Sequence, residues 1–136
     1  MAQVLLKVNK LKVAYGGIQA VKGVSFEVNE GELVSLIGAN GAGKTTTLKA
    51  ITGTQPAGDG HIEYLGRPIL GQGAWDLVKQ GLVMVPEGRG VFGALTIEEN
   101  LVMGAYIRTD RAGMAADIER VFTLFPRLKE RRQQTA

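Results

Sequence analysis

Apolar and polar residues alternate along the first part of the chain in the pattern typical of short β-strands. Within positions 24–28 the side chains of Val24, Phe26 and Val28 recur at period two and predict one buried face. Two earlier segments mix apolar residues with lysines, and glycine-containing turns separate all three segments. The predicted strands are residues 5–8, 11–15 and 24–28. Together they predict an antiparallel β layer at the start of the chain.

Two short apolar runs further along the chain interrupt this alternation. Residues 32–37 are largely apolar and end at Gly38, and residues 82–85 are wholly apolar and precede Pro86. Short apolar runs bounded by turn residues are typical of strands buried on both faces, as in a parallel sheet. We therefore predict a buried strand at each of these two runs.

The segment between the two apolar runs predicts two helices and one strand. Residues 44–51 have the composition of a helix, which Gly53 ends as a residue suited to the left-handed conformation. A strand at 61–65 returns to the β layer, and a second helix covers residues 73–80. Trp75 lies on the apolar face of that second helix and is assigned to the core.

The C-terminal part of the chain predicts two further helices. Thr96 and Glu99 have the spacing of a capping box, which opens a helix that runs to about residue 106. Residues 110–129 carry apolar side chains at helical spacing and predict an amphipathic helix that Pro126 kinks or ends. These helices predict a small helical lobe whose apolar stripes form a core, and nothing on either helix indicates a catalytic role.

One glycine-rich stretch carries a specific chemical signal. Residues 38–45 match the phosphate-loop pattern G-x-x-x-x-G-K-[ST] at every required position, between a predicted strand and a predicted helix. In such a loop the backbone N–H groups surround the β-phosphate, Lys44 contacts the β- and γ-phosphates, and the Thr45 hydroxyl completes the Mg²⁺ shell. A chance match is expected in about 1% of chains of this composition. The predicted nucleotide-binding residues are Gly38, Ala39, Asn40, Gly41, Ala42, Gly43, Lys44, Thr45 and Thr46.

Three single residues allow more than one interpretation. Tyr15 could stack on an adenine ring or cover the edge of the sheet, and its spacing alone favours the edge. Glu87 follows the second apolar run, where the main Mg²⁺ ligand is usually an aspartate, so we expect it near the metal ion but not as that ligand. His61 is the one histidine of the chain, and we assign it to a strand edge rather than to catalysis.

Composition narrows the class of protein further. The 136 residues suffice for one domain with a single hydrophobic core. Sixteen basic and thirteen acidic side chains give a net charge of +3, which we take as too weak and too evenly spread to indicate a nucleic-acid partner. The chain has no cysteine and no apolar run of membrane-spanning length. We therefore expect a cytosolic chain that reaches a membrane only through a partner.

With these elements assigned, the chain resembles the ATP-binding subunits of ABC transporters, and most closely those that serve branched-chain amino-acid importers. The segments that carry the resemblance are 11–17, 38–47, 85–92 and 95–101. The resemblance implies an α/β fold of the ABC-type P-loop NTPase class with an N-terminal antiparallel β layer. It assigns residues 1–93 to that layer and the P-loop core, and residues 94–136 to the start of a helical subdomain.

The resemblance also implies cofactors, partners and two residue roles. ATP and Mg²⁺ are the expected cofactors, and Tyr15 is expected to stack on adenine, contrary to what spacing alone favours. Glu87 occupies the position of a glutamine in most ABC proteins and is expected to link the nucleotide site to the membrane permease. The implied partners are the integral-membrane permease subunits and a second ATP-binding subunit, identical or different. The implied location is cytoplasmic, peripheral on the inner face of the cell membrane.

Several family motifs are absent from these 136 residues. Family members continue into a Leu-Ser-Gly-Gly signature, a strand ending in Asp-Glu and a histidine switch, none of which is present. We therefore expect a truncated, weakly stable chain that binds ATP and Mg²⁺ through Lys44 without a complete catalytic set, and that aggregates or pairs with another chain. The alternatives are a non-hydrolysing nucleotide-binding or regulatory module and a small nucleotide kinase. The β layer before Gly38 argues against the kinase.

Overall fold

The computed structural model describes residues 2–136 and divides them into two units, one ending at Met84 and the other beginning at Val85. The elements of the first unit are β1 (Val4–Tyr15), β2 (Ile18–Asn29), α1 (Lys44–Ile51), β3 (Asp59–Tyr64), β4 (Arg67–Pro68) and α2 (Ala74–Lys79). The elements of the second unit are α3 (Ile97–Met103), α4 (Arg111–Leu124) and α5 (Pro126–Glu130).

The first unit is organised around an antiparallel sheet with the strand order β2-β1-β3-β4. Gly16 and Gly17 join β1 to β2, and both have positive φ angles of 51° and 87°. A two-residue hairpin turn with two positive φ angles matches the twist of the flanking strands and strongly favours glycine. The predicted antiparallel layer is therefore confirmed, and so is the strand at 61–65 that returns to it.

The two strands predicted at 5–8 and 11–15 form a single strand, β1, with an irregularity in the middle. The register of β1 against β2 shifts between Val8 and Leu11, and Lys10 has a positive φ angle of 48°. The backbone N–H of Lys10 donates to the Ser25 hydroxyl at 2.8 Å. A bulge of this kind lets a strand continue through polar residues that break the period-two pattern.

The core of the first unit lies on one face of the sheet. Phe26 and Val24 alternate with exposed residues and pack against the buried cluster, as the period-two pattern predicts. Helix α1 contributes Ala50 and Ile51 to this core, and α1 has the bounds predicted from sequence. The fully or nearly buried residues of the cluster are Val8, Leu11, Val13, Val21, Ala50, Ile51, Ile62, Ile69 and Leu77.

The prediction of buried strands at 32–37 and 82–85 is wrong for this structure. Neither run is a strand, and Leu33 and Ile37 expose 94% and 96% of their surface. In the second run Val83 and Val85 are 60% and 89% exposed. A β-strand requires a hydrogen-bonded neighbour. Within residues 2–136 neither run has such a neighbouring strand, so an apolar composition alone does not make these segments β-strands.

The assignment of Trp75 to the core is also wrong, because its side chain is 66% exposed. The residue of α2 that enters the core is Leu77, which is fully buried. Residues two positions apart on a helix point about 200° from each other, so a helix that buries Leu77 turns Trp75 outward. The Trp75 ring instead lies over Gly73, where an added Cβ would come within 2.6 Å of the ring.

The second unit is helical, and its first helix begins with the predicted capping box. The Thr96 hydroxyl accepts from the Glu99 backbone N–H at 3.1 Å, and the Glu99 carboxylate accepts from the Thr96 N–H at 2.7 Å. Helix α3 ends at Met103, about one turn earlier than predicted. Helix α4 ends at Leu124 and Pro126 starts α5, so the proline ends one helix and begins the next.

One arginine fastens the connection between α3 and α4. The Arg108 guanidinium forms ion pairs with Asp110, at 2.6 Å, and with Asp117. The hydrogen bond from Arg108 lowers the pKa of the Asp110 carboxyl below its ordinary value. These ion pairs therefore link the connection between α3 and α4 to the first turns of α4.

Candidate functional site

The phosphate-loop residues form a tight turn that leads directly into α1. The Ala42 N–H donates to the Ala39 carbonyl at 3.1 Å, which closes the turn. Gly41 and Gly43 adopt positive φ angles of 84° and 93°. The left-handed region is open to glycine at little cost, so two of the three glycines within residues 38–45 have a conformational reason to be there.

Gly43 is also the point where the loop rests on the sheet. A Cβ added at Gly43 would lie 2.6 Å from the Ala20 carbonyl oxygen of β2 and 3.2 Å from a methyl group of Val21. Val21 belongs to the buried core of the first unit. The antiparallel layer that precedes the loop therefore positions it, through a contact that only glycine permits.

Lys44 curls back over the loop from the first position of α1. Its Nζ donates to the carbonyl oxygens of Gly38 and Ala39, the latter at 3.2 Å. Gly38 is itself packed closely, because an added Cβ there would lie 3.0 Å from the Ala42 side chain. The ammonium group is thus held at the loop, where it can contact phosphate oxygens of a bound nucleotide.

The start of α1 presents backbone donors that no side chain occupies. Its N-cap is Gly43, no side chain of the described residues caps the helix there, and its first turn contains no acidic residue. Uncapped N–H groups and the positive end of a helix dipole favour an anion. Together with the glycine turn and the Lys44 ammonium, this donor set fits a nucleoside triphosphate. Thr45, in the first turn, is exposed and can offer its hydroxyl to Mg²⁺.

Tyr15 is brought to the same place by the end of β1. Its hydroxyl lies 3.5 Å from the Thr46 hydroxyl of α1, and 43% of its surface is exposed. The contact spans 31 positions in the sequence, so spacing gave no sign of it. A hollow of 440 Å³ beside the loop is lined by residues 19–24 with Gly41 and Ala42.

Glu87 belongs to the second unit, so its expected place near Mg²⁺ stays a prediction. It is exposed and precedes Gly88, which has a positive φ angle of 81°. Over residues 2–136 no group of three histidine or acidic side chains is placed to hold a metal ion.

Asn100 is a structural residue of the second unit that the sequence patterns did not single out. Its side-chain oxygen accepts from the Phe92 N–H at 2.8 Å, and its amide group donates to the carbonyl oxygens of Phe92 and Thr96 at 3.0 and 2.9 Å. These bonds attach the segment that follows Glu87 to α3. The sequence signal that could have identified Asn100 is its position inside a predicted helix. Asparagine has a low helix propensity, and its side chain tends to form hydrogen bonds with nearby backbone groups.

Comparison with models of known protein families shows to which family the chain belongs. The family model described as ABC transporter matches residues 21–135, which is most of the chain. The chain belongs to the ABC transporter family. The matched region includes the phosphate loop, α1 and the helical unit, so the family predicted from sequence is confirmed.

Two of the curated relatives are ATP-binding proteins of amino acid transport. The chain is 46% identical over 132 residues to the high-affinity branched-chain amino acid transport ATP-binding protein BraG of Pseudomonas aeruginosa, covering 97% of the chain and 56% of the relative. It is 39% identical over 106 residues to the corresponding protein LivG of Salmonella typhimurium, covering 78% of the chain and 42% of the relative. The chain therefore spans about half the length of the curated relatives it matches.

Solved structures confirm the fold class. An ATP-binding subunit of an ABC transporter superposes with a TM-score of 0.80 at 29% identity, covering 96% of the chain and 54% of that structure. A nucleotide-free ATP-binding cassette superposes with a TM-score of 0.79 at 22% identity, covering 98% and 58%. The chain thus has the fold of an ABC-type P-loop NTPase. In the described part of the chain, no helix combines the length and apolar character needed to cross a membrane.

Proposed function

We propose that this chain is the nucleotide-binding part of an ATPase subunit that energises the import of branched-chain amino acids through a membrane permease. The observation that carries the proposal is the loop at the start of α1, where the glycine contact with β2, the Lys44 ammonium and an uncapped helix N-terminus converge. These are the features that hold a triphosphate in P-loop proteins. The substrate class follows from the names of BraG and LivG.

Each residue of the site has a proposed part in binding ATP and Mg²⁺. The backbone N–H groups of residues 38–46 and the Lys44 ammonium hold the phosphates, and the Thr45 hydroxyl contributes to the magnesium shell. Tyr15 places its ring against the adenine. When bound, Mg²⁺ supplies charge that bridges and neutralises the phosphates.

The partners are proposed from the family to which the chain belongs. ABC ATP-binding subunits work in pairs with membrane permease subunits, so we infer a permease and a second ATP-binding subunit for this protein. Glu87 is the candidate for transmitting the state of the nucleotide site to the permease, with the helical unit as its docking surface. The corresponding location is the cytoplasmic face of the cell membrane, reached through the permease.

Binding without turnover is expected of these 136 residues. Within the described residues, no carboxylate hydrogen-bonds to the phosphate loop, and hydrolysis requires a group that orients the attacking water. Calorimetric titration of the purified chain with ATP and Mg²⁺ should give saturable binding, while a steady-state phosphate-release assay should give no rate above background. A phosphate-release rate that disappears in Lys44→Ala would contradict the absence of turnover. Failure to bind ATP at all would contradict the proposed function itself.

Replacing Tyr15 with alanine is expected to weaken ATP binding about fivefold to tenfold, because stacking of a base on an aromatic ring contributes roughly 1 kcal/mol or more. Tyr15→Phe keeps the ring and loses only the long contact to Thr46, so it should bind ATP almost as the unaltered chain does. Titrations with ATP and with inorganic triphosphate separate the two roles, because triphosphate has no base to stack. Equal affinity of Tyr15→Ala and the unaltered chain for ATP would refute the stacking role.

A further inference from the structure

The corner where α4 meets α5 exposes two large apolar side chains among cations. Leu124 is the last residue of α4 and Phe125 connects the two helices, and their side chains are 64% and 58% exposed. Arg120 lies four positions before Leu124, on the same face of α4. Residues 119–132, which surround this exposed pair, are called the basic corner below.

The last eighteen residues, which include the basic corner, carry a surplus of positive charge. Residues 119–136 contain five basic and two acidic side chains, whereas residues 1–118 contain eleven of each sign. The whole formal surplus of +3 therefore lies in the last eighteen residues.

Both acidic groups of the basic corner are already engaged. The Glu119 carboxylate pairs with the Lys129 ammonium at 3.4 Å, and the Glu130 carboxylate pairs with the Arg127 guanidinium at 3.0 Å. The three remaining cations are exposed and have no acidic partner among residues 2–136. These cations are Arg120, Arg131 and Arg132. The free positive charge thus lies on α4, at Arg120, and directly after the end of α5, at Arg131 and Arg132.

The ion pair between Glu119 and Lys129 also fixes the shape of the corner. It joins α4 to α5 across ten positions of sequence, so the second helix is held beside the end of the first. An open hollow of 520 Å³ next to this contact is lined by Pro126, Lys129, Glu130, Arg132 and Gln133. The long stems of the basic residues can lie along apolar surface while their heads reach outward.

We propose that the basic corner is an attachment surface for an anionic phospholipid bilayer. Exposed leucine and phenylalanine flanked by lysine and arginine are the composition of segments that lie in a membrane interface, with the apolar groups at the boundary of the acyl chains. The three unpaired cations match the negative potential of such a surface. A nucleic acid would use the same cations and could stack a base on Phe125, but it gives no reason for the exposed aliphatic side chain of Leu124. This attachment goes beyond the proposed ATPase role, adds a direct lipid contact beside the proposed docking of the helical unit on the permease, and needs no nucleotide.

Vesicle sedimentation with the full 136-residue chain tests the proposal. The unaltered chain should sediment with phosphatidylglycerol vesicles and remain in solution with phosphatidylcholine vesicles. The double variant Arg131→Gln/Arg132→Gln removes two exposed cations and should lower the partition coefficient about 25-fold at low salt, at roughly fivefold per lost charge. Lys22→Gln/Lys79→Gln removes the same charge from exposed positions of the first unit and should leave the partition coefficient unchanged.

The contribution of Leu124 and Phe125 is tested by measuring vesicle binding at low and at high salt. Charge attraction is screened at high ionic strength, so the binding that persists there should disappear in Leu124→Ser/Phe125→Ser, with the helix content checked by circular dichroism. The proposal would be overturned if the arginine double variant and the lysine double variant lowered the partition coefficient equally. Equal binding to phosphatidylglycerol and phosphatidylcholine vesicles would also overturn it. An oligonucleotide that binds while vesicles do not would overturn it in favour of a nucleic-acid surface. A dimer that both Ser substitutions dissociate, without vesicle binding, would overturn it in favour of a contact between two copies.

Discussion

Replacing Lys44 with alanine is expected to weaken binding of ATP and Mg²⁺ about 10- to 100-fold, because a hydrogen bond to a charged group contributes roughly 1.5–3 kcal/mol. The ammonium of Lys44 is held over the loop by the carbonyl oxygens of Gly38 and Ala39, so it is already at the place where phosphates would bind. Calorimetric titration of the purified chain with ATP and Mg²⁺ measures the change directly.

Lys49→Ala is the matched control for this prediction. Lys49 is an exposed lysine in the last turn of the same helix, so its removal changes the net charge of α1 equally without altering the loop. The control should bind ATP within about twofold of the unaltered chain, since an exposed charge at that end of the helix acts only through screened interactions. If both variants lost affinity equally, Lys44 would be acting through general charge rather than through contact with the phosphates.

Gly43→Ala is expected to lower the free energy of unfolding of the first unit by about 2–5 kcal/mol and to abolish nucleotide binding. A residue other than glycine at a φ angle of 93° costs roughly 1–2 kcal/mol. The added methyl group would also lie 2.6 Å from the Ala20 carbonyl oxygen, and such overpacking adds roughly 1–3 kcal/mol. Denaturant unfolding followed by far-ultraviolet circular dichroism gives the first quantity, and titration with ATP gives the second.

Gly41→Ala separates strain of the backbone from contact with the sheet. Gly41 has a similar φ angle of 84°, but an added Cβ there would meet no atom within 4 Å. It should therefore lose only the conformational part, about 1–2 kcal/mol. A loss at Gly41 as large as the loss at Gly43 would show that the contact with β2 contributes nothing, and that the loop is positioned by its own conformation alone.

Short sequence patterns correctly predicted the elements that depend on interactions between residues close in the sequence. Helix α1, the capping box of α3, the hairpin layer and the break at Pro126 all follow from short-range signals: apolar period, N-cap chemistry, paired glycines and a missing N–H group. The phosphate loop was also identified from spacing alone, because its chemistry requires particular residue types at fixed intervals. Each of these signals is contained within about ten residues of sequence.

The errors concern elements that depend on distant partners. The runs at 32–37 and 82–85 were read as strands from their composition, but pairing decides whether an apolar segment becomes a strand. Trp75 was assigned to the core because it lies on the predicted apolar face of the second helix, whereas the short helix α2 turns Leu77 inward instead. The contact between Tyr15 and Thr46 brings together residues 31 positions apart, and no sequence period encodes such a distance.

The exposed run at 32–37 has a thermodynamic consequence for the loop that follows it. Any fluctuation of this exposed run in solution would have to be ordered before Gly38 and the loop could close on a nucleotide, and that ordering would reduce the measured affinity. A strand that paired with Leu33 and Ile37 would order the run in advance and tighten nucleotide binding. Because such coupling is reciprocal, a bound nucleotide would in turn strengthen the strand pairing by the same factor.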